Sequence, residues 1–247
     1  MISEGLFGLD DYVLSGAPLP KIAEKPTRVF LRPYQTECLQ RVQAAYDRGL
    51  RRGLAVMATG LGKTTLFSEL IRQAVADGRK VLVIAHQIEL LDQAADRIRS
   101  MCPGVKVGIQ GGEHKAPWNS QVVVAGNQSL GRAKDPIPWF TPSLIVVDEC
   151  HHAAAESYMI IFRRYRCWEP DGAQLLGVTA TPHRLDNRPL HGNEKAIFEE
   201  VLFDMALARA IREGWLCDLR AFRVAASMDL RGVKKAGGDF NQKQLQE

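Results

Sequence analysis

Met57-Ala58-Thr59-Gly60-Leu61-Gly62-Lys63-Thr64 lies between a short apolar run and a segment with helical spacing. It reads as a phosphate-binding loop. Gly60 and Gly62 let the backbone turn tightly and bring successive N–H groups toward phosphate oxygens, and the following helix presents the positive end of its dipole. Lys63 is placed to reach β- and γ-phosphates, and the Thr64 hydroxyl to hold magnesium. Thr59 and Thr65, one on each side, belong to the same candidate set. The full loop pattern has a glycine at the position of Met57, and a Gly-Lys-Thr in an ordinary surface turn is the competing reading.

Outward from the loop the chain alternates strand and helix. Leu54–Met57 fits a fully buried parallel strand. Thr64–Ala76 continues as a helix, Val81–Ala85 as a second buried strand, and Ile88–Ile98 as a second helix with Leu91, Ala94, Ala95 and Ile98 on one face. Further apolar runs follow at Val105–Ile109, Val122–Val124, Leu144–Val147 and Gln174–Val178, with a helix after His151. This rhythm predicts an α/β doubly wound sheet whose ligands gather at the carboxyl ends of the strands. Upstream, Pro33 suits the first turn of a helix over Thr36–Arg48 that Gly49 stops. Downstream, Phe203–Glu213 reads as a helix stopped by Gly214, and Leu219–Ala226 as a late strand. Residues 1–29 mix Gly, Pro and charge and are expected to form an arm, and 227–247 a linker cut off before its end.

Composition sets wide bounds. With 247 residues, 46% hydrophobic, the chain can bury one large core or two small ones. A formal charge of +4 permits a nucleic-acid partner without requiring one. The five cysteines form no Cys-x-x-Cys pair, so neither a zinc knuckle nor a disulfide framework is indicated, and a reducing interior follows. No apolar run approaches membrane-spanning length, and Glu4, Asp10 and Asp11 stand where a secretory signal would be basic. A cytoplasmic location is expected.

The strongest partner of the loop is Asp148-Glu149-Cys150-His151, directly after the strand Leu144–Val147. A carboxylate at the tip of a buried strand beside a phosphate loop can hold magnesium through water, and its neighbour can polarise an attacking water. A capped helix start is the plain alternative. Cys150, His151 and His152 are consecutive and cannot easily turn toward one metal ion. Gly177-Val178-Thr179-Ala180-Thr181-Pro182 ends another buried strand, which places its hydroxyls near the same acids. Among the basic residues, Arg163, Arg164 and Arg166 read as a solvated helix face before a nucleic-acid groove, Arg184 as facing solvent or another lobe, and Arg51-Arg52 as surface charge. His114 and Trp118 lie in a variable, exposed loop.

Taken in order, Gln35 after Arg-Pro-Tyr, Ala58–Thr64, Ile84-Ala85-His86 with Leu90-Leu91 and Gln93, Val124–Leu130, Asp148–His151 and Thr179–Pro182 resemble the superfamily-two helicase and translocase motifs. The chain is similar to the first motor lobe of the DEAD/H-box and type III restriction-subunit-like branch over residues 30–226. The resemblance implies a RecA-like P-loop NTPase domain, a mostly parallel sheet with helices on both faces. It further implies that Gln35, helped by Arg32, reads adenine. Thr59, Gly60, Gly62, Lys63, Thr64 and Thr65 hold ATP, Asp148 and Thr64 hold Mg2+, and Glu149 is the base, with Lys63 in the catalytic set. His151, Thr179 and Thr181 couple hydrolysis to movement, and His86, Gln87, Gln128 and Ser129 are the candidates for nucleic-acid contact. In that branch Met57 is no departure, whereas Gly126 stands where relatives often carry threonine. The implied partners are nucleic acid, DNA favoured over RNA, and a second helicase lobe in the same or a partner chain. A non-catalytic ATP- and nucleic-acid-binding module within an assembly is the rival reading, and a P-loop phosphotransferase fits less well because no acceptor lid is apparent.

Overall fold

The computed structural model describes residues 30–85, 91–132, 137–181, 190–192 and 196–220, with the backbone alone at 235–236 and 239–240. The expected arm 1–29 and the positions His86, Gln87, Pro182 and Arg184 lie outside the described residues.

In chain order the elements are α1 (Pro33–Asp47), β1 (Arg52–Met57), α2 (Lys63–Ala76), β2 (Val81–Ala85), α3 (Leu91–Met101), β3 (Val107–Gln110), β4 (Val122–Gly126) and α4 (Asn127–Arg132). Then follow β5 (Leu144–Asp148), a 3-10 turn at Cys150–His152, α5 (Glu156–Arg164), β6 (Gln174–Thr179), β7 (Glu200–Met205) and α6 (Leu207–Arg212). The seven strands form one sheet in the order β3-β4-β2-β5-β6-β1-β7, and every pairing is parallel. The α/β fold read from the sequence is therefore present. The chain separates into two compact units, Met1–Leu216 and Cys217–Glu247. In the second, β8 (Lys235–Ala236) and β9 (Asp239–Phe240) pair antiparallel.

A parallel sheet must be covered on both faces, and the strand pleat divides the side chains accordingly. Ala55, Met57, Val81, Val83, Val122, Val124, Val146 and Val178 pack on one side with α1, α2 and α3. Their neighbours Leu54, Val56, Leu82, Ile84, Val123, Ile145 and Val147 pack on the other with α5, Phe140 and Phe198. Continuous apolar runs are what two buried faces require.

Three segments differ from the sequence reading. The run Phe203–Glu213 is not one helix: Phe203 belongs to β7, and only Leu207–Arg212 is helical. The cause is tertiary, since β7 supplies the ladder partner on the free side of β1, with a register irregularity between Leu54 and Ala55 that Leu202 fills. Leu219 and Arg220 are not in a strand, and the rest of the expected late strand lies outside the described residues. Arg52 is more than surface charge: its Nε donates to Ile197 O at 2.8 Å and its guanidinium lies 5.3 Å from the Trp168 ring centre. Arg163 and Arg166 are exposed and paired to Glu156 and to Asp171 and Glu169, whereas Arg164 departs from the solvated-face reading: it is half-buried and its Nη1 donates to Leu130 O at 2.8 Å. Trp118 is exposed. Among the described residues no helix is long and apolar enough to cross a membrane, and all five cysteines are free, four of them buried.

Gly177 lets β6 accept its neighbours. A Cβ at this position would overlap the Phe198 ring and come within 2.8 Å of Cys150 Sγ, and both residues are buried. Gly177→Ala is expected to lower stability by about 1–3 kcal/mol, seen as a lower urea midpoint with an unchanged slope.

Candidate active site

The site forms where β1, β6 and β5 end side by side. Register places Val56 opposite Thr179 and Asp148 opposite Val178. With neighbouring strands ~4.8 Å apart, the loop after β1, the threonine closing β6 and the acids after β5 share one carboxyl edge.

After Met57 the chain turns through Ala58–Gly62 and enters α2 at Lys63. Gly60 (φ 88°) and Gly62 (φ 76°) adopt the left-handed region, where a side chain is strained. Leu61 between them is buried in the core, while Thr59 and Gly60 face solvent and Thr64 and Thr65 are half-buried. The first-turn N–H groups of α2 have no acceptor within the helix, and no side chain caps them. The loop is also held from α1. The Leu61 carbonyl accepts from the Tyr34 hydroxyl at 2.8 Å and from Gln35 Nε2 at 3.0 Å. Gln35 Nε2 lies 3.3 Å from Gly62 O, and Gln35 Oε1 accepts from the Arg32 N–H at 2.9 Å. The amide of Gln35 is thus engaged by the phosphate loop and by the start of α1. Arg32 Nη1 donates to the Tyr34 hydroxyl at 3.2 Å. Tyr34 and Leu61 were not singled out from the sequence, although an apolar residue between two loop glycines is a readable sign of an anchor.

Lys63 Nζ lies 3.4 Å from Glu149 Oε1 and 3.5 Å from Met57 O. Glu149 has φ 49° and ψ 49°, a left-handed conformation that costs a non-glycine residue about 1–3 kcal/mol. Its second oxygen lies 3.4 Å from His151 Nδ1, which is also 3.2 Å from Thr179 Oγ1. Thr179 Oγ1 donates to Thr181 O at 3.0 Å and accepts from the Thr181 N–H at 3.1 Å. With the hydroxyl proton given to Thr181, both contacts at Nδ1 call for a donated hydrogen, which assigns the imidazole proton to Nδ1. A continuous polar chain therefore runs Lys63–Glu149–His151–Thr179–Thr181, from the loop to the end of β6.

Asp148 stands beside this chain with Oδ1 accepting the Glu149 N–H at 3.0 Å. Burial pushes its carboxyl above the usual range, the Glu149 charge adds to that, and the Glu149 N–H and Lys63 oppose it. Burial likewise holds Cys150 as a neutral thiol. Among the described residues no cluster of three or more His, Cys, Asp or Glu could hold a metal by itself. Magnesium needs none, since it keeps waters and substrate oxygens and uses one or two carboxylates. The half-buried Asp148, next to Glu149 and within the field of Lys63, is a carboxylate suited to that requirement.

The family model for type III restriction enzyme, res subunit (ResIII) matches residues 28–184, more than half of the chain. The chain belongs to the ResIII family. It is a superfamily-two helicase lobe of the type III restriction-like branch, the first of the motor. A Saccharomyces cerevisiae protein named for an ATP-dependent helicase, IRC3, is 29% identical over 219 residues, 85% of this chain and 31% of its own length. The type I restriction enzyme EcoAI endonuclease subunit of Escherichia coli is 27% identical over 225 residues, 84% of this chain and 26% of that one. The chain thus spans about a third or less of the length of these relatives. Its fold is shared with a nuclease-deletion mutant of the type ISP restriction-modification enzyme LlaGI in complex with a DNA substrate mimic (TM-score 0.58, 18% identity, 75% of this chain, 21% of that one).

Two other candidates in this ResIII lobe stand apart from the polar chain. Gln128, exposed, and Ser129, half-buried, open α4 after β4, and β2 separates β4 from β5. Asn127 beside them is buried, donates to Ser157 Oγ at 3.2 Å, and has no partner at Oδ1.

Because Asp148 holds its proton more tightly folded than unfolded, its contribution to stability is most favourable at acid pH and is lost as pH rises through the raised pKa. Asp148→Asn is therefore expected to stabilise the ligand-free chain at neutral pH. In urea titrations at decreasing pH, its gain over the parent should vanish below the ordinary aspartate range.

Proposed function

We propose that this chain is the ATP-binding lobe of a DNA helicase or translocase, hydrolysing ATP by in-line attack of water and coupling that step to movement along nucleic acid. The observation that carries the reading is the polar chain from Lys63 through Glu149 and His151 to Thr179 and Thr181.

In this reading the N–H groups of the loop and Lys63 bind the triphosphate, Arg32 and Gln35 lie toward adenine, and Thr59 and Thr65 flank the phosphates. Thr64 and Asp148 would hold magnesium, which offsets the charge developing on the phosphate oxygens when bound. Phosphate oxygens compete with Glu149 for Lys63 Nζ. Glu149, relieved of that ion pair, accepts the proton of the attacking water. His151 senses the change at Glu149 Oε2 and passes it to Thr179 and Thr181 through Nδ1. Nucleic-acid contact is assigned to Gln128 and Ser129, just after β4, and to His86 and Gln87, which follow β2 in the sequence, as candidates for gripping backbone phosphates. DNA is favoured by the restriction-enzyme kinship of the family.

In this scheme a second lobe supplies an arginine finger, a group worth orders of magnitude in rate. Slow turnover by this lobe alone follows. Calorimetry with magnesium-ATP and ATPase assays with and without single-stranded DNA test the scheme. Lys63→Ala should weaken nucleotide binding by about 2–5 kcal/mol, the cost of removing one partner of a buried charge contact. A parent chain that binds no nucleotide would overturn the assignment. Binding without turnover, even when a second lobe is supplied, would make the lobe a non-catalytic module.

A further inference from the structure

The phosphate loop is gripped from a direction that none of the motif residues accounts for. The Ala58 N–H donates to Met205 O at 3.1 Å, which ties the start of the loop to the end of β7. From there α6 runs to a closed C-terminus: the Gly214 N–H donates to Ile211 O at 3.0 Å and the Trp215 N–H to Ala210 O at 2.9 Å, with Gly214 at φ 74°. This paired closure sets the exit direction of the chain by backbone hydrogen bonds. It delivers Trp215 edge-on to Tyr34, ring centres 4.9 Å apart at 66°, and Tyr34 is the residue whose hydroxyl holds Leu61 O. Trp215 is itself oriented by a hydrogen bond from Nε1 to Glu213 Oε2 at 3.2 Å. Leu216 follows, its Cδ2 only 3.1 Å from where a Cβ on Gly60 would stand. The 205–216 segment thus meets the loop at Ala58 and Gly60 directly and at Leu61 through Tyr34.

We propose that Trp215 and Leu216 are positioning residues for nucleotide binding, holding the phosphate loop in its open-handed shape through Tyr34, Leu61 and Gly60. This rests on the nucleotide reading of the loop. Neither residue belongs to the phosphate loop itself. Both limit the conformations that the Gly60-Leu61-Gly62 turn can take, and a cradle of N–H groups binds phosphate only when they converge.

The test uses the 247-residue chain and five variants: Trp215→Ala, Trp215→Phe, Tyr34→Phe, Leu216→Ala, and Trp215→Ala combined with Tyr34→Phe. Magnesium-ATP affinity is read by calorimetry, and urea unfolding of each protein reports stability separately. Trp215→Ala, Tyr34→Phe and Leu216→Ala should each weaken binding roughly three- to tenfold, the scale of an aromatic or hydrogen-bond contact. The double variant should bind no more weakly than its worse single parent, because both changes act through Leu61. Trp215→Phe should restore affinity to within about twofold by returning a ring to Tyr34. Singles that bind like the parent, or losses that multiply in the double variant, would overturn the proposal. If Trp215→Ala does not fold, unchanged affinity in both Tyr34→Phe and Leu216→Ala overturns it equally. A parent that binds no nucleotide removes the nucleotide reading itself, and the inference with it.

Discussion

Everything at the site depends on the hydrogen-bonded parallel register of three strands. β1, β6 and β5 lie in that order, with Val56 level with Thr179 and Val178 level with Asp148. No two of these segments are close in sequence. Because the strands run parallel, all three carboxyl ends open on the same edge, and the loop, the acids and the threonine meet without any of them having to reach far. A slip of one residue would exchange the faces of a strand, which the opposed packing of Val56 and Met57 into separate cores forbids.

Around that frame the protein spends stability on arrangement. Gly60 and Gly62 turn the loop in conformations that side chains avoid, and Glu149 adopts such a conformation without being glycine. Asp148 is buried against its ionised form with another carboxylate next to it. The Glu149 backbone and the Asp148 carboxylate are the costly members of this set, whereas the two glycines adopt their conformations freely. Backbone strain at Glu149 and a raised pKa at Asp148 thus fall together on one edge of the sheet, above a core with two well-packed faces, a pattern associated with functional sites.

The polar chain also shows how one contact can serve two states. Lys63 and Glu149 neutralise one another across the site, with Lys63 held largely out of water and Glu149 more open. Such an ion pair is a weak contributor to stability. Under the function proposed above, its value would lie in being breakable by a better anion, with His151 joining Glu149 to the end of β6.

Much of this was legible in the linear chain. The four- and five-residue apolar runs ending in Gly, Asp-Glu-Cys-His or Thr are local signals of strands buried on both faces, and residue type and strand-end position single out Lys63, Asp148, Glu149 and Thr179, which the sheet brings to one edge. The helix 63–76 needed only its glycine entry and its apolar stripe. What only the tertiary structure decided were matters of pairing and approach. Phe203 has the composition to continue a helix, but the free side of β1 recruits it into β7. Gln35 and Tyr34 are chemically suited to many partners, and only the docking of α1 turns both onto Leu61. Trp215 looks like a residue after a helix stop, and only the path of the chain past β7 sets it against Tyr34. Period and residue type reside in the chain itself, whereas the choice among equally willing partners is made by the geometry of the whole sheet.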